Sequence, residues 1–334
     1  LNLTPRTQPP NQGEPSLICH RQFSDIDQLA EQIRPVSKVE LTQLSCDRLH
    51  FDLVLAIFAE IKFAFTKSSC PVFFLGEKPK NLVTFSCLLE TQGPYLISHG
   101  RRVSYETLAG MDASLTAKFM IPANQKCVVV QVRRDILQDC LQAMERSDLD
   151  EKLWTNNYVR SPVAMPAVKE YLSQLLNLIQ HQPEFLQQPH LKTLLLEDFV
   201  PLLIDAIPSQ AEDHFKTPPT LNRMQLVKQA EDYMLAHLDQ PITLKEVCEA
   251  IHVSRRPLFY GFQEMFGVSP MEYLKVQRLQ GVRRALQVAD LETSSVAAIA
   301  QRFGFWSAGH FARDYKIMFG ELPSTTLSAA RTGF

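Results

Sequence analysis

The sequence predicts an α+β chain. A β-rich N-terminal unit, a small barrel or sandwich with flanking helices, precedes an all-α unit of two helix-turn-helix motifs joined by a long helix. Three observations carry this. Short β-type runs bounded by Gly, Pro and Asn crowd residues 39–132. A polar stretch with three prolines, residues 208–220, then separates that region from a purely helical one. Within the helical region one phrase occurs twice, from Ser254 to Pro270 and from Ser307 to Pro323. Both copies place an apolar residue at +4, an aromatic at +8, Met-Phe-Gly at +11 to +13 and Pro at +16. Positions +4, +8, +11 and +12 share one face of a helix.

Length and composition set the frame. The 334 residues have room for two domains, and a hydrophobic content of 45% is ordinary for a globular chain. No apolar run reaches the ~18 residues of a membrane span, and the first residues lack the basic-then-apolar pattern of a signal peptide. A cytoplasmic protein without a membrane partner is expected. The 7 cysteines are odd in number and scattered, without C-x-x-C, which argues against a disulfide framework or a zinc site. No metal and no cofactor are expected. The net charge of −2 is unevenly spread: from Leu221 onward 13 Lys/Arg face 11 Asp/Glu. That mild basic excess permits a nucleic-acid partner without demanding one.

Residues 1–16 are expected to form a flexible tail, and 17–207 a β-rich domain with helices at its C-terminal end. Residues 24–34 suit a short helix capped by Ser24. Strands are expected around Val72-Phe73-Phe74-Leu75, Leu82-Val83-Thr84-Phe85, Tyr95-Leu96-Ile97 and Val128-Val129-Val130, with Gly76 to Asn81 as a hairpin loop. The apolar run Phe51 to Phe65 fits a strand pair or a helix equally. Helices are expected over 135–145, over 166–181 behind Pro166, and over 189–206 behind Pro189, the last kinked or shortened by Pro201. The two longer helices suit covering the β unit or pairing with a second subunit. His99, Arg101 and Arg102 are surface-loop residues or, less simply, an anion-facing group.

Residues 221–334 form the second domain. Thr243 with Glu246 makes a capping box for a helix ending near Ile251. His252-Val253 then turns the chain into the helix opened by Ser254. In the second copy, Ser295 opens a helix to Phe303, and Gly304-Phe305-Trp306 turns it into the helix opened by Ser307. Small Cys248 and Ala300 sit where helices would cross closely. Between the copies, Ser269, Pro270 and Glu272 open a helix running to about Leu286, roughly 25 Å at 1.5 Å per residue. Such a spacer holds two recognition helices about one DNA turn, ~34 Å, apart.

Double-stranded DNA is therefore the expected partner. Outward on the first recognition helix lie Arg255, Arg256, Phe259 and Tyr260. Arg can donate two hydrogen bonds to guanine or bind phosphate, and the aromatics suit thymine methyls or the sugar-phosphate wall. Outward on the second lie Ala308, Gly309, His310 and Arg313, which offer fewer base contacts. The plain alternative is that these charges belong to a solvated helix face; the duplication and the spacer weigh against it.

Residues 225–327 resemble the AraC/XylS family of bacterial transcription regulators. The matching residues are Val253-Ser254-Arg255-Arg256 with Leu258 and Phe262, Phe266-Gly267-Val268-Ser269-Pro270, Gly304-Phe305, Ser307, His310-Phe311, and Phe319-Gly320 with Pro323. Within that family the chain is loosely similar to ethanolamine-operon regulators. Departures at Pro257, Phe259 and Ala308-Gly309 bear on which DNA sequence is read. The resemblance implies a C-terminal domain that binds promoter DNA and recruits RNA polymerase. It also implies a cupin-like N-terminal domain that senses a small-molecule effector or forms a homodimer. The expected function is a ligand-responsive transcription regulator, an activator, and not an enzyme. One alternative is a regulator without a ligand, controlled by abundance or a protein partner. Another is a DNA-repair methyltransferase with a DNA-binding tail, which needs clustered Cys ligands that the sequence lacks. Motifs of the H-E-x-x-H, G-x-S-x-G, Walker A and G-x-G-x-x-G types are also absent.

Overall fold

The computed structural model describes residues 17–34, 38–90, 93–149, 155–188, 193–209, 221–289 and 294–329. The expected tail and nearly all of the expected linker lie outside them, as does Pro189. Among the described residues the strands form two antiparallel sheets. The larger joins β1 (Leu17–Phe23), β3 (Phe51–Ile57), β4 (Ile61–Ser68), β11 (Lys126–Arg133), β6 (Leu82–Leu88), β9 (Thr107–Ala109) and β12 (Tyr158–Arg160), in that spatial order. The smaller joins β2 (Val39–Gln43), β5 (Val72–Gly76), β10 (Ala117–Ile121), β7 (Leu96–Ser98) and β8 (Arg101–Val103). Neither sheet closes on itself, so the barrel form of the expectation is not met. A core containing Phe51, Leu53, Phe74, Leu96 and Ile121 joins the two sheets.

Alternation explains the layers. Val54, Ala56, Phe63, Phe65, Val128, Val130 and Val132 point to one face of the larger sheet. Helices α2 (Arg134–Ala143), α3 (Met165–His181) and α4 (Val200–Asp205) bury their apolar stripes there. The Phe63 and Phe199 rings meet with centroids 5.4 Å apart. Helix α3 thus covers the sheet through Val168, Leu172, Leu175, Leu176 and Ile179, which decides between the two roles considered for it.

Two local expectations change, and a third is made more specific. The first short helix, α1 (Ile26–Ile33), is capped by Asp25 rather than Ser24. The Asp25 Oδ1 accepts from Asp27 N at 2.8 Å and Gln28 N at 3.1 Å. A carboxylate here also offsets the positive end of the helix. The Gly76 to Asn81 loop is no hairpin. It carries the chain from β5 in the smaller sheet to β6 in the larger. Lys78 anchors this crossover, donating to the carbonyls of Gly110 (2.9 Å) and Asp112 (2.7 Å) and to Asn157 Oδ1 (3.1 Å). The helix expected over 189–206 is helical over described residues 193–205, and the distortion expected of Pro201 takes the form of a π-helical segment, Leu195–Phe199, leading into α4. Pro201 lacks the N–H that a continuous α-ladder needs. The ambiguous Phe51 to Phe65 run is the strand pair β3–β4, closed by Phe58 N donating to Ile61 O at 2.9 Å.

The helical unit follows: α5 (Leu221–Ala236), α6 (Leu244–Ala250), α7 (Arg255–Phe266), α8 (Pro270–Gln287), α9 (Val296–Arg302), α10 (Ala308–Phe319) and α11 (Pro323–Ala329). It has two cores. The first contains Val227, Met234, Val247, Leu258, Phe262 and Phe266, with Tyr273 and Leu274 of α8. The second contains Val276, Leu279, Val282 and Leu286 of α8, with Phe303, Phe311, Tyr315 and Met318. No helix among the described residues is long and apolar enough to cross a membrane.

His99 is neither a loose surface residue nor free to meet an anion. It takes a left-handed backbone (φ 51°), and its Nε2 lies 3.0 Å from the Thr116 carbonyl. That contact requires Nε2–H, so Nδ1 is the acceptor beside the Ser98 and Tyr158 hydroxyls, 3.1 Å from each. Burial, reinforced by Lys78, Lys118 and Arg101, holds its pKa down to about 4. The unfolded chain takes up this proton near pH 6.5, while the folded chain resists until about pH 4. Stability is therefore intact above pH 6.5 and falls as pH drops towards 4, by ~3 kcal/mol at most. Thermal melts of His99→Asn, which tolerates the same backbone, should show a flatter dependence across that window than the parent; parallel curves would refute this.

Candidate nucleic-acid interface

Each helix-turn-helix forms from local signals. In the first, Thr243 caps α6: Glu246 N donates to Thr243 Oγ1 at 3.3 Å, and Thr243 N donates to Glu246 Oε2 at 2.6 Å. The turn into α7 requires a left-handed residue, and His252 supplies it at φ 55°. In the second, Ser295 Oγ accepts from Ala298 N at 3.1 Å, and Gly304 makes the corresponding turn at φ 80°. His is enriched in this region among non-glycines, which explains how the less permissive residue serves. Each recognition helix, α7 and α10, ends at a left-handed glycine, Gly267 (φ 71°) and Gly320 (φ 77°). Ser254 and Ser307 occupy the N-cap positions, but neither side chain makes the capping hydrogen bond expected of it.

Close helix crossings also use glycines that the sequence reading did not single out. Cys248 and Ala300 are buried in the two helical cores, and Gly261 and Gly281 add tight approaches of their own. A Cβ on Gly261 would lie 2.5 Å from Val227 Cγ2, and one on Gly281 would lie 2.4 Å from Phe303 Cε1.

The apolar stripe of each recognition helix turns inward, which fixes what faces out. Leu258, Phe262, Met265 and Phe266 are buried in α7, and Phe311, Tyr315 and Met318 in α10. All eight residues expected to face DNA are exposed: Arg255, Arg256, Phe259 and Tyr260 on α7, and Ala308, Gly309, His310 and Arg313 on α10. The Arg256 guanidinium lies 5.6 Å from the centroid of the Tyr260 ring, one turn away. The space beside Gly309 is open, with nothing within 4 Å of a Cβ placed there. Trp306, 70% exposed just before α10, extends this surface and was not among the expected contacts. An indole in the turn ahead of a recognition helix is the signal that could have found it.

Residues 247–329 match the model of a helix-turn-helix domain. Two curated relatives are operon regulators. A probable thc operon regulatory protein of Rhodococcus erythropolis is 44% identical over 102 residues, covering 30% of this chain and 31% of that protein. The XylDLEGF operon transcriptional activator 2 of Pseudomonas putida is 35% identical over 92 residues, covering 28% and 59%. Among solved structures, a probable AraC family transcriptional regulator from Rhodopseudomonas palustris is 40% identical. That match covers 32% of this chain and 97% of that one, with a TM-score of 0.29. The helical unit carries a helix-turn-helix domain similar to that of AraC/XylS-type operon regulators. These relatives are transcription regulators rather than enzymes. The matched helix-turn-helix model lies in the helical unit, and the chain spans less than two thirds of either curated relative's length.

The two glycines make a contrast that separates packing from contact. Gly261→Ala should destabilise the domain by about 1–3 kcal/mol, because Val227 must move. Gly309→Ala should leave stability unchanged or raised by up to ~1 kcal/mol, as alanine favours helix. It should nevertheless weaken DNA binding if α10 approaches a groove closely. Urea titrations and gel shifts of both variants test this. Equal stability losses would contradict the packing described, and unchanged DNA binding by Gly309→Ala would remove Gly309 from the interface.

Proposed function

We propose that the chain is a transcription activator that binds promoter DNA through both helix-turn-helix units and responds to a small molecule held by its β-rich domain. One observation carries the DNA reading: two like units present exposed N-terminal faces while α8 contributes to both cores. At 18 residues α8 is about 27 Å long, which suits units set one DNA turn apart. Arg256 reads a base edge, and Arg255 binds phosphate. Phe259 and Tyr260 pack on the groove wall, and Ala308 and Gly309 permit close approach beside His310 and Arg313. The first-turn N–H groups of α7 and α10, not capped by Ser254 or Ser307, suit phosphate oxygens. Recruitment of RNA polymerase and homodimer formation belong to the same proposal, as does a cytoplasmic setting.

The sensing half rests on a cavity of about 130 Å³ between the two sheets. Leu53, Leu55, Phe74, Phe119 and Val129 line it, with Lys62 and Gln131 as polar groups. A preformed apolar space with a few polar groups suits a small organic effector.

Arg256→Ala should lower DNA affinity by ~1–3 kcal/mol and relax preference at one base pair. Footprinting with an unchanged sequence preference would refute the base-reading role. Deletion of residues 1–216 should leave a fragment that still binds DNA. It should be less stable than the whole chain, because Leu44, Phe73, Ile97 and Met120 complete the first helical core. A folded fragment without DNA binding would refute the division of labour. A thermal-shift screen of metabolites on the full chain tests the sensing half; no shift beside intact DNA binding favours the ligand-free regulator.

A further inference from the structure

The smaller sheet has two faces one residue apart. On β5 and β10, Phe74 and Phe119 are directly paired, and their rings stack at 4.8 Å with 4° between planes. Both line the inter-sheet cavity. The next residues on the same strands, Phe73 and Met120, are also paired, and Met120 pairs in turn with Ile97 of β7. Alternation sends this second row to the opposite face. There it meets the end of the first recognition helix. The Phe73 and Phe266 rings lie edge to face, centroids 4.9 Å apart. A Cβ on Gly267 would sit 3.4 Å from Met120 Cε and 3.9 Å from Ile97 Cδ1. Phe73, Ile97 and Met120 are nearly inaccessible and belong to the first helical core.

We infer that Phe73, Ile97 and Met120 are positioning residues for DNA binding, setting the tilt of α7 according to what fills the cavity behind them. They touch no DNA. They form the seat of Phe266 and Gly267, and the wall under that seat is one sheet thick. A cavity occupant that displaces the Phe74–Phe119 stack must shift the paired backbone of β5 and β10, since a close-packed interior transmits strain rather than absorbing it. The second row moves with that backbone. Helix α7 has 12 residues and is therefore about 18 Å long. A tilt of about 5° at its seated end carries Arg255 and Arg256 by about 1.5 Å at the other, enough to misplace a bidentate contact. The inference rests on the DNA-binding and sensing readings proposed above and adds the route between them.

The test needs no effector. Ala64 lines the cavity from β4, and Ala64→Leu fills part of that space; Ala64→Val serves if the larger residue prevents folding. Met120→Ala removes the seat's central side chain. The parent, each single variant and the double variant, as full chains, are titrated against a duplex enriched from a random-sequence pool on the parent protein. Filling the cavity should change DNA affinity at least fivefold in the parent. In the Met120→Ala background the change should shrink to less than twofold, and Met120→Leu should restore it. Cavity and seat effects that simply multiply, with every variant folded by circular dichroism, would overturn the inference while leaving DNA binding intact. A parent protein that enriches no duplex would instead overturn the DNA-binding reading and this inference with it.

Discussion

The double burial of α8 is the constraint on which the C-terminal half depends. A helix that packs on one core can roll or slide. One that supplies Tyr273 and Leu274 to one core and Val276, Leu279, Val282 and Leu286 to the next cannot do so without disturbing both. Polar groups reinforce the arrangement. Arg278, buried at the middle of α8, donates through Nη2 to the carbonyls of Gln240 (2.7 Å) and Ile242 (3.1 Å), which lie just ahead of the first unit. A Cβ on Gly304, at the turn of the second unit, would lie 3.2 Å from the same guanidinium. Glycine there meets two needs at once: a left-handed backbone and room for Arg278.

The N-terminal half then grips both units at corresponding places. The repeated phrase carries Phe-Gly at +12 and +13, and the glycine of each copy lies against the β-rich domain. Phe266 and Gly267 meet Phe73, Ile97 and Met120, while a Cβ on Gly320 would lie 2.8 Å from Arg48 Cζ. Near the far end of α8, Arg283 Nη2 pairs with Asp25 Oδ2 at 2.8 Å, with both side chains largely buried, and Arg283 also lies over the Phe319 ring. Arg284 makes a two-point contact with Asp27 at 2.9 and 3.1 Å. Ion pairs of this kind add little net stability once desolvation is counted. They fix orientation. Asp25 is thereby both the cap of α1 and the anchor of α8, which ties α1 to the helix between the two helix-turn-helix units.

Much of this was legible in the sequence where the signal is local. The duplicated phrase, the Thr243 and Ser269 capping boxes and the left-handed turns at His252 and Gly304 need only neighbouring residues to declare themselves, and each stands in the structure. The outward residues followed because a buried stripe at +4, +8, +11 and +12 leaves the rest of the helix facing out. What was illegible depends on distant partners. Gly76 to Asn81 has hairpin composition, but β5 and β6 take partners in different sheets. Ser24 and Asp25 are both good caps, and only Asp25 can also meet Arg283, some 260 residues away. Gly261 and Gly281 gave no sign in the sequence of being close-approach points, because Val227 and Phe303, the side chains they admit, lie elsewhere in the chain. The cavity had no local signature, since residues from both sheets and from α1 line it.

The surface chemistry of the two units bears on how such a protein chooses DNA. From Leu221 onward the basic excess is only 13 to 11, and several of those cations are committed within the protein, among them Arg278, Arg283 and Arg284. Lys275 is held too, by Asp314 at 2.7 Å. Few charges remain for the sequence-independent attraction that phosphate contacts provide. On the proposed DNA-binding reading, affinity leans on fit: a small number of exposed side chains, Arg255 and Arg256 foremost, delivered at a spacing that α8 holds rigid. In that regime a shift of about an ångström in one recognition helix matters more than it would for a strongly basic protein, whose affinity survives small misplacements. Low charge and rigid spacing together make the angle of α7 a quantity worth controlling, and the seat beneath Phe266 lies where control of that angle would act.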